Sequence, residues 1–277
     1  MRKPVDSHVD RPFWVVILAY TIGYLGYYLT TILFLVLSLP LVILLAPFAE
    51  LKQRLFLLAA HGYARFLTQG FLKVLDVCHI DEIEGMAHCP TDQPFVCVSN
   101  HRGRLDALLL IGFLKRTSVL IKAKHARFPM LAHLVRHSGF ISVDQSSPAS
   151  MALALQKCGK ILDSGTNLLV FPEGSRAAGR RLLPFGSIAF KVACDRRVPI
   201  VPVIIYAKNV FMAKRLDTFY PRRRIGYRIH FLPPVIPNPH ETPAVLSDRV
   251  YRGMIGELKL LQSETTGQES TVPQRKE

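Results

Sequence analysis

The sequence predicts an α/β fold, a mostly parallel sheet flanked by helices, behind an N-terminal hydrophobic membrane-anchoring helical segment. Three observations predict it. Short apolar runs alternate with helical stretches between residues 94 and 205. Two of those runs end in polar, chemistry-bearing motifs, as ligand-binding strand ends do in open α/β sheets. Ahead of them lies a stretch from Phe13 to Ala49 with no charged residue. The 277-residue chain divides accordingly: 1–75 anchor and amphipathic helical segment, 76–262 α/β domain, and 263–277 a polar, disordered tail.

The Phe13–Ala49 run exceeds the ~20 apolar residues that one spanning helix needs and falls short of two full spans. Gly23, Gly26, Pro40 and Pro47 offer places to bend. The expectation is one span plus an interfacial segment, or a hairpin that dips into one leaflet. A cleaved signal peptide fits poorly, because the apolar stretch far exceeds the usual core of such a peptide. Basic residues flank both ends (Arg2, Lys3, Arg11, then Lys52, Arg54, Arg65 and Lys73), which suits a hairpin facing the cytoplasm.

Leu51 to Leu75 has helical periodicity with basic residues on one side, and Asp81 to Asp92 reads as acidic and turn-like. Strands are predicted at 94–100, 118–123, 140–144, 167–173 and 199–205 from short apolar runs. Helices are predicted at 106–115, 130–138, 150–165 and 187–197, the third closed by Gly165. The alternation in 224–236 predicts a later edge strand, and 244–262 a closing helix.

Composition narrows the function classes. Formal net charge is +15. From Gln145 to His240 there are fifteen Lys/Arg against four acids, a surface suited to anionic partners. The apolar segment points to membrane lipid, and no zinc-finger, RNP-like or helix-turn-helix pattern supports nucleic acid. The five cysteines (Cys78, Cys89, Cys97, Cys158, Cys194) lack C-x-x-C spacing and read as reduced thiols. The ten histidines include no H-E-x-x-H or paired His/Cys spacing, so no metal is expected.

The two strand-end motifs are SNHRGRLD (99–106) and FPEGSR (171–176). His101 and Asp106 flank a strand-to-helix turn, across which an imidazole and a carboxylate can meet. Such a pair fixes the tautomer, raises basicity and makes a base able to take a hydroxyl proton. The bland alternative is a surface histidine with Asp106 capping the next helix. Arg176 either suits a phosphate fork or is a solvated charge. Gly174 allows close backbone approach to a ligand, and Glu173 could simply cap the turn after Pro172. Arg102 and Arg104 either bind phosphate or polarise a carbonyl, or face solvent.

NHRGRLD (100–106), KAKHARFPMLAHLVRHSGFISVD (122–144), FPEGSR (171–176) and VPIVPV (198–203), in that order, resemble the blocks of the glycerolipid acyltransferase family. The bacterial prototype of that family is 1-acyl-glycerol-3-phosphate acyltransferase. The resemblance implies an enzyme moving an acyl group from acyl-coenzyme A or acyl-carrier protein onto the free hydroxyl of a lysophospholipid, most simply 1-acyl-sn-glycerol-3-phosphate. It implies catalytic roles for His101 as base and Asp106 as its partner. It implies substrate binding by Arg102, Arg104, Lys122, Glu173, Gly174, Ser175 and Arg176, with Pro129 in the second block. Pro199 and Pro202 would shape the fold and acyl pocket. No metal or bound cofactor is implied, and the location implied is the cell inner membrane with the site facing the cytoplasm.

The sequence departs from the family pattern at Gly103, where a hydroxyl-bearing residue is usual. It departs again at Gln145, where a base is usual, and at Gly186 and Ile188, where many members have lysine and glycine. These keep open another acceptor, such as a lyso-ornithine lipid, and a non-catalytic lipid-binding protein on the same fold.

Overall fold

The computed structural model describes residues 12–127, 129–177, 181–212 and 224–270. The flanking basic residues Arg2, Lys3 and Arg11 lie outside them, as does the end of the tail from 271.

Helix α1 (Phe13–Leu44) is one continuous helix of 32 residues that carries Pro40 inside it. At 1.5 Å per residue it is about 48 Å long, more than the ~30 Å hydrocarbon core of a bilayer. It is long and apolar enough to cross a membrane. Val16, Tyr20, Gly23, Tyr24, Tyr27 and Thr31 form a buried stripe at helical spacing, while Trp14, Leu18, Leu25, Leu29 and Leu33 stay exposed on other faces. Gly26 permits the close approach, because a Cβ there would run into the Phe71 ring. Helix α2 (Ala49–Arg65) returns alongside, with Phe34 of α1 stacked 4.7 Å from Tyr63. A π-helical turn (Phe66–Phe71) and the short α3 (Leu72–Val74) complete this unit. No hairpin breaks residues 13–44; the reversal comes at 45–48, around Pro47, one of the four bend sites the sequence offers.

The remaining elements alternate: β1 (Cys78–Glu84), β2 (Val96–Ser99), α4 (Asp106–Ile111), β3 (Thr117–Lys122), α5 (Pro129–His137) and β4 (Ile141–Val143). They continue with α6 (Pro148–Asp163), β5 (Asn167–Val170), α7 (Ile188–Arg196), β6 (Ile200–Tyr206), β7 (Ile225–Phe231) and α8 (Pro243–Ser270). The seven strands form one sheet in the order β1-β7-β6-β2-β5-β3-β4. β6, β2, β5, β3 and β4 are mutually parallel; β7 runs antiparallel to β6, and β1 runs with β7.

Alternate residues of each strand enter cores on opposite faces, as a pleated strand requires. Cys97, Leu169, Val201, Val203 and Ile205 pack with α1, α2 and α4; Val96, Val98, Leu168, Val170, Ile200 and Ile204 pack with α6, α7 and α8. Each fully buried large side chain contributes about 1.5–3 kcal/mol relative to an exposed one.

The structure corrects three expectations. Of the segment expected to be turn-like, 81–84 instead belongs to the edge strand β1, in which Asp81 is an extra residue that shifts the register between Ile80 and Glu82. Residues 85–92 are indeed a turn, with a 3-10 helix at Met86–His88. The strand at 225–231 is internal, covered on both sides by β1 and β6. The closing helix continues through Ser270, past the start of the anticipated tail.

Candidate active site

Parallel strands deliver their carboxyl ends to one edge of a sheet, and neighbours lie about 4.8 Å apart. β2 and β5 are such neighbours. The segment 100–106 leaves β2 and 171–177 leaves β5, so the two motifs meet by topology alone. β3 ends at Lys122, β4 leads to Gln145, and β6 leads to Ala207–Met212, all at the same edge.

His101 lies 24% exposed, and Asp106 is fully buried at the start of α4. His101 Nδ1 stands 2.9 Å from Asp106 Oδ2. A carboxylate with three donors around one oxygen can only accept, so Nδ1 carries the proton and Nε2 keeps a free lone pair. The other donors to that oxygen are the backbone N–H groups of Arg102 at 2.6 Å and Gly103 at 2.8 Å. Asp106 therefore closes the turn and aims the imidazole with one atom. The His101 ring also rests against Phe171, centroids 4.5 Å apart.

The backbone of His101 is held from the second motif. Its N–H donates to Glu173 Oε1 at 2.9 Å, and its carbonyl accepts from the N–H of Ala177 at 2.8 Å. Glu173 Oε2 accepts from the N–H of Leu183 at 2.9 Å. Burial pushes the Glu173 carboxyl up, and these two amide bonds pull it back. The observed task of Glu173 is to tie two loops together.

The expected substrate-binding residues separate into two groups. Arg102 is placed differently from expectation: it is 8% exposed and its Nη1 donates to the Ala207 carbonyl, bracing the loop after β6. Arg104 is exposed, and its Nη1 donates to the Tyr28 hydroxyl of α1 at 2.8 Å. Arg176 is half-buried and donates to the Met212 carbonyl at 3.1 Å; burial and then the charge of Arg104 push its guanidinium down. Ser175 is exposed beside it. Gly174 adopts φ +61°, a left-handed conformation that favours glycine, and a Cβ there would sit 3.4 Å from Lys122 Cε. Lys122 thus approaches Gly174, and the charges of Arg104 and Arg176 act on one another, on the segments that follow β2 and β5.

The departures from the family pattern gather here. Gln145 approaches both Gly174 and Gly186, 3.5 Å and 3.7 Å from where their Cβ atoms would be. A Cβ on Gly103 would meet the Phe211 carbonyl at 3.0 Å and Asp106 Oδ1 at 3.4 Å, so a side chain there requires the Phe211 segment to give way.

Sequence reasoning gave no role to Asn100, Phe171 or Tyr28. Asn100 is 3% exposed and continues the ladder: its Nδ2 donates to the Ile205 carbonyl at 2.9 Å, and its Oδ1 accepts from the Ile205 N–H at 2.7 Å. A polar residue wedged between an apolar strand and His101 was the available signal. The carbonyls of Ala207 and Met212 have no side-chain signature at all.

Residues 81–206 match a family model described as Acyltransferase. The chain is similar to 1-acyl-sn-glycerol-3-phosphate acyltransferase alpha of Bos taurus, 31% identical over 179 residues, 63% of this chain and 61% of that protein. The Homo sapiens protein of that name is likewise 31% identical over 179 residues, 63% of this chain and 62% of its own. A Limnanthes alba 1-acyl-sn-glycerol-3-phosphate acyltransferase is 29% identical over 156 residues, 56% of this chain and 54% of that protein. The match thus spans about three fifths of the length of the two mammalian proteins. The crystal structure of PlsC, the 1-acyl-sn-glycerophosphate (LPA) acyltransferase of Thermotoga maritima, superposes with a TM-score of 0.61. At 20% identity over 87% of this chain and 98% of that one, it shows the shared fold.

Proposed function

We propose that this protein transfers a fatty acyl group from a thioester, acyl-coenzyme A or acyl-carrier protein, onto the free hydroxyl of a lysophospholipid. The acceptor favoured is 1-acyl-sn-glycerol-3-phosphate, giving phosphatidic acid. The observation that carries this is the His101–Asp106 pair at 2.9 Å, seated in the segment that matches the Acyltransferase family model.

In this reading Nε2 of His101 takes the proton of the acceptor hydroxyl as its oxygen attacks the thioester carbonyl carbon. Asp106 stabilises the imidazolium so formed. The tetrahedral intermediate collapses, the C–S bond breaks, and the departing thiolate takes the proton back from His101. The acceptor supplies the nucleophile, so no serine of the protein is needed. Lys122 and Arg176, with Ser175 and the backbone at Gly174, hold the headgroup phosphate; Arg104 serves the same anion. Glu173 acts by fixing the loop that carries His101. α1 seats the domain in the inner membrane, where acyl chains partition, with the site on the cytoplasmic side.

Membranes containing the wild type and His101→Ala test it. They are given labelled acyl-coenzyme A or acyl-carrier protein and a panel of acceptors that includes lysophosphatidic acid and lyso-ornithine lipid. Transfer by the wild type that vanishes in the variant supports the reaction and names the acceptor. A folded wild type that acylates nothing sinks it.

A further inference from the structure

The membrane-anchoring helix reaches into the candidate site at a specific atom. Tyr20, Tyr24 and Tyr27 of α1 converge on the Phe211 ring, with centroids 6.5, 4.8 and 6.5 Å from it. Phe211 is fully buried, and its N–H donates to the Tyr227 hydroxyl at 2.9 Å. This ring lies in the loop after β6, between Ala207, whose carbonyl takes Arg102, and Met212, whose carbonyl takes Arg176. α1 thus packs under the loop on which two site arginines rest.

Tyr28 follows directly on this stripe. Its ring meets Tyr27 edge-on at 5.1 Å, and its hydroxyl accepts the hydrogen bond from Arg104 Nη1. Among the described residues no carboxylate pairs with Arg104. An exposed arginine without an anchor samples many rotamers, and fixing it costs conformational entropy. A hydroxyl on a rigid helix restricts that freedom and leaves the guanidinium charge unneutralised, three residues along the chain from His101.

We propose that Tyr28 is a positioning residue for Arg104, and that the pair captures the phosphate of the acceptor lipid. α1 is then a structural part of the acceptor site as well as an anchor. The inference rests on the acyltransferase reading. Acceptor and coenzyme A both carry phosphate, so the two sources must be separated by experiment.

The test is steady-state kinetics of Tyr28→Phe, Arg104→Ala and the double variant in vesicles, varying acceptor and donor in turn. Loss of one hydrogen bond to a charged group predicts an acceptor KM raised about tenfold in Tyr28→Phe, with kcat and donor KM unchanged. Arg104→Ala raises acceptor KM at least as far, and adding Tyr28→Phe to it changes nothing more. Flotation with the vesicles stays at the wild-type level, because phenylalanine keeps the ring. A wild-type acceptor KM in Tyr28→Phe overturns the proposal, as does full additivity of the two substitutions. A shift in donor KM alone overturns its assignment to the acceptor. Each of these outcomes leaves the reaction standing, whereas a wild type that transfers nothing removes both readings.

Discussion

Replacing Asp106 by asparagine separates charge from shape at the site. The carboxylate is fully buried and accepts from His101 Nδ1, Arg102 N and Gly103 N with one oxygen. An asparagine oxygen in the same place keeps the three acceptances, but a neutral acceptor no longer stabilises a protonated imidazole. With charge centres ~4 Å apart and an effective dielectric of about 20, the lost attraction is ~4 kcal/mol. That corresponds to roughly a thousandfold in rate if it is expressed fully in the transition state. The opposite amide orientation turns an NH2 group toward Nδ1 and puts the imidazole proton on Nε2, which abolishes the base. Either way kcat falls about a thousandfold, while the acceptor KM changes little. The assay is initial-rate acyl transfer in vesicles, alongside denaturant unfolding to show that the variant is folded. A folded Asp106→Asn enzyme within about threefold of wild type, with His101→Ala still inactive, would refute this reasoning. Asp106 would then serve only the turn.

Asn100→Ala leaves the buried N–H and C=O of Ile205 without their side-chain partners and costs roughly 2–4 kcal/mol; a loss under about 1 kcal/mol in denaturant unfolding would show that the strand does not need this brace. Glu173 supplies a pH test. Burial raises its carboxyl pKa, so its contribution to stability is complete below the ordinary value of about 4.5 and is lost as pH rises through the folded-state value. Glu173→Gln cannot ionise, so the stability difference should move in the variant's favour from about pH 4 upward. A difference that stays flat with pH counts against burial as the cause. The variant also loses one of the two amide acceptances, and a slower kcat is expected from the loosened His101 loop.

Much of the α/β frame was legible because its strands are short, apolar and buried on both faces. Residues such as Val96, Val98, Leu168 and Val170 leave little choice of structure. β1 was not legible, since the extra residue at Asp81 breaks the alternation that marks a strand. β7 was read as an edge for the same reason: nothing announced the strand that covers it. At the site, His101, Asp106 and Arg176 could be named because unusual side chains stood at strand ends, and Lys122 only because its block resembles one of the family's. Glu173 was seen, but its engagement with backbone amides was not, and Arg102 was buried where exposure was allowed. Backbone partners such as the carbonyls of Ala207 and Met212 belong to no residue type and emerge only from the fold.

The hold on His101 through its own N–H and carbonyl divides the work within a single residue. The main chain carries the mechanical load, stitched to Glu173 and Ala177, while the ring alone reacts. Exchanging the ring for an inert side chain should therefore leave the cradle standing. If the proposed acyl transfer holds, an inactivated form of this protein would be a natural trap for the acceptor lipid, retaining what the active form converts.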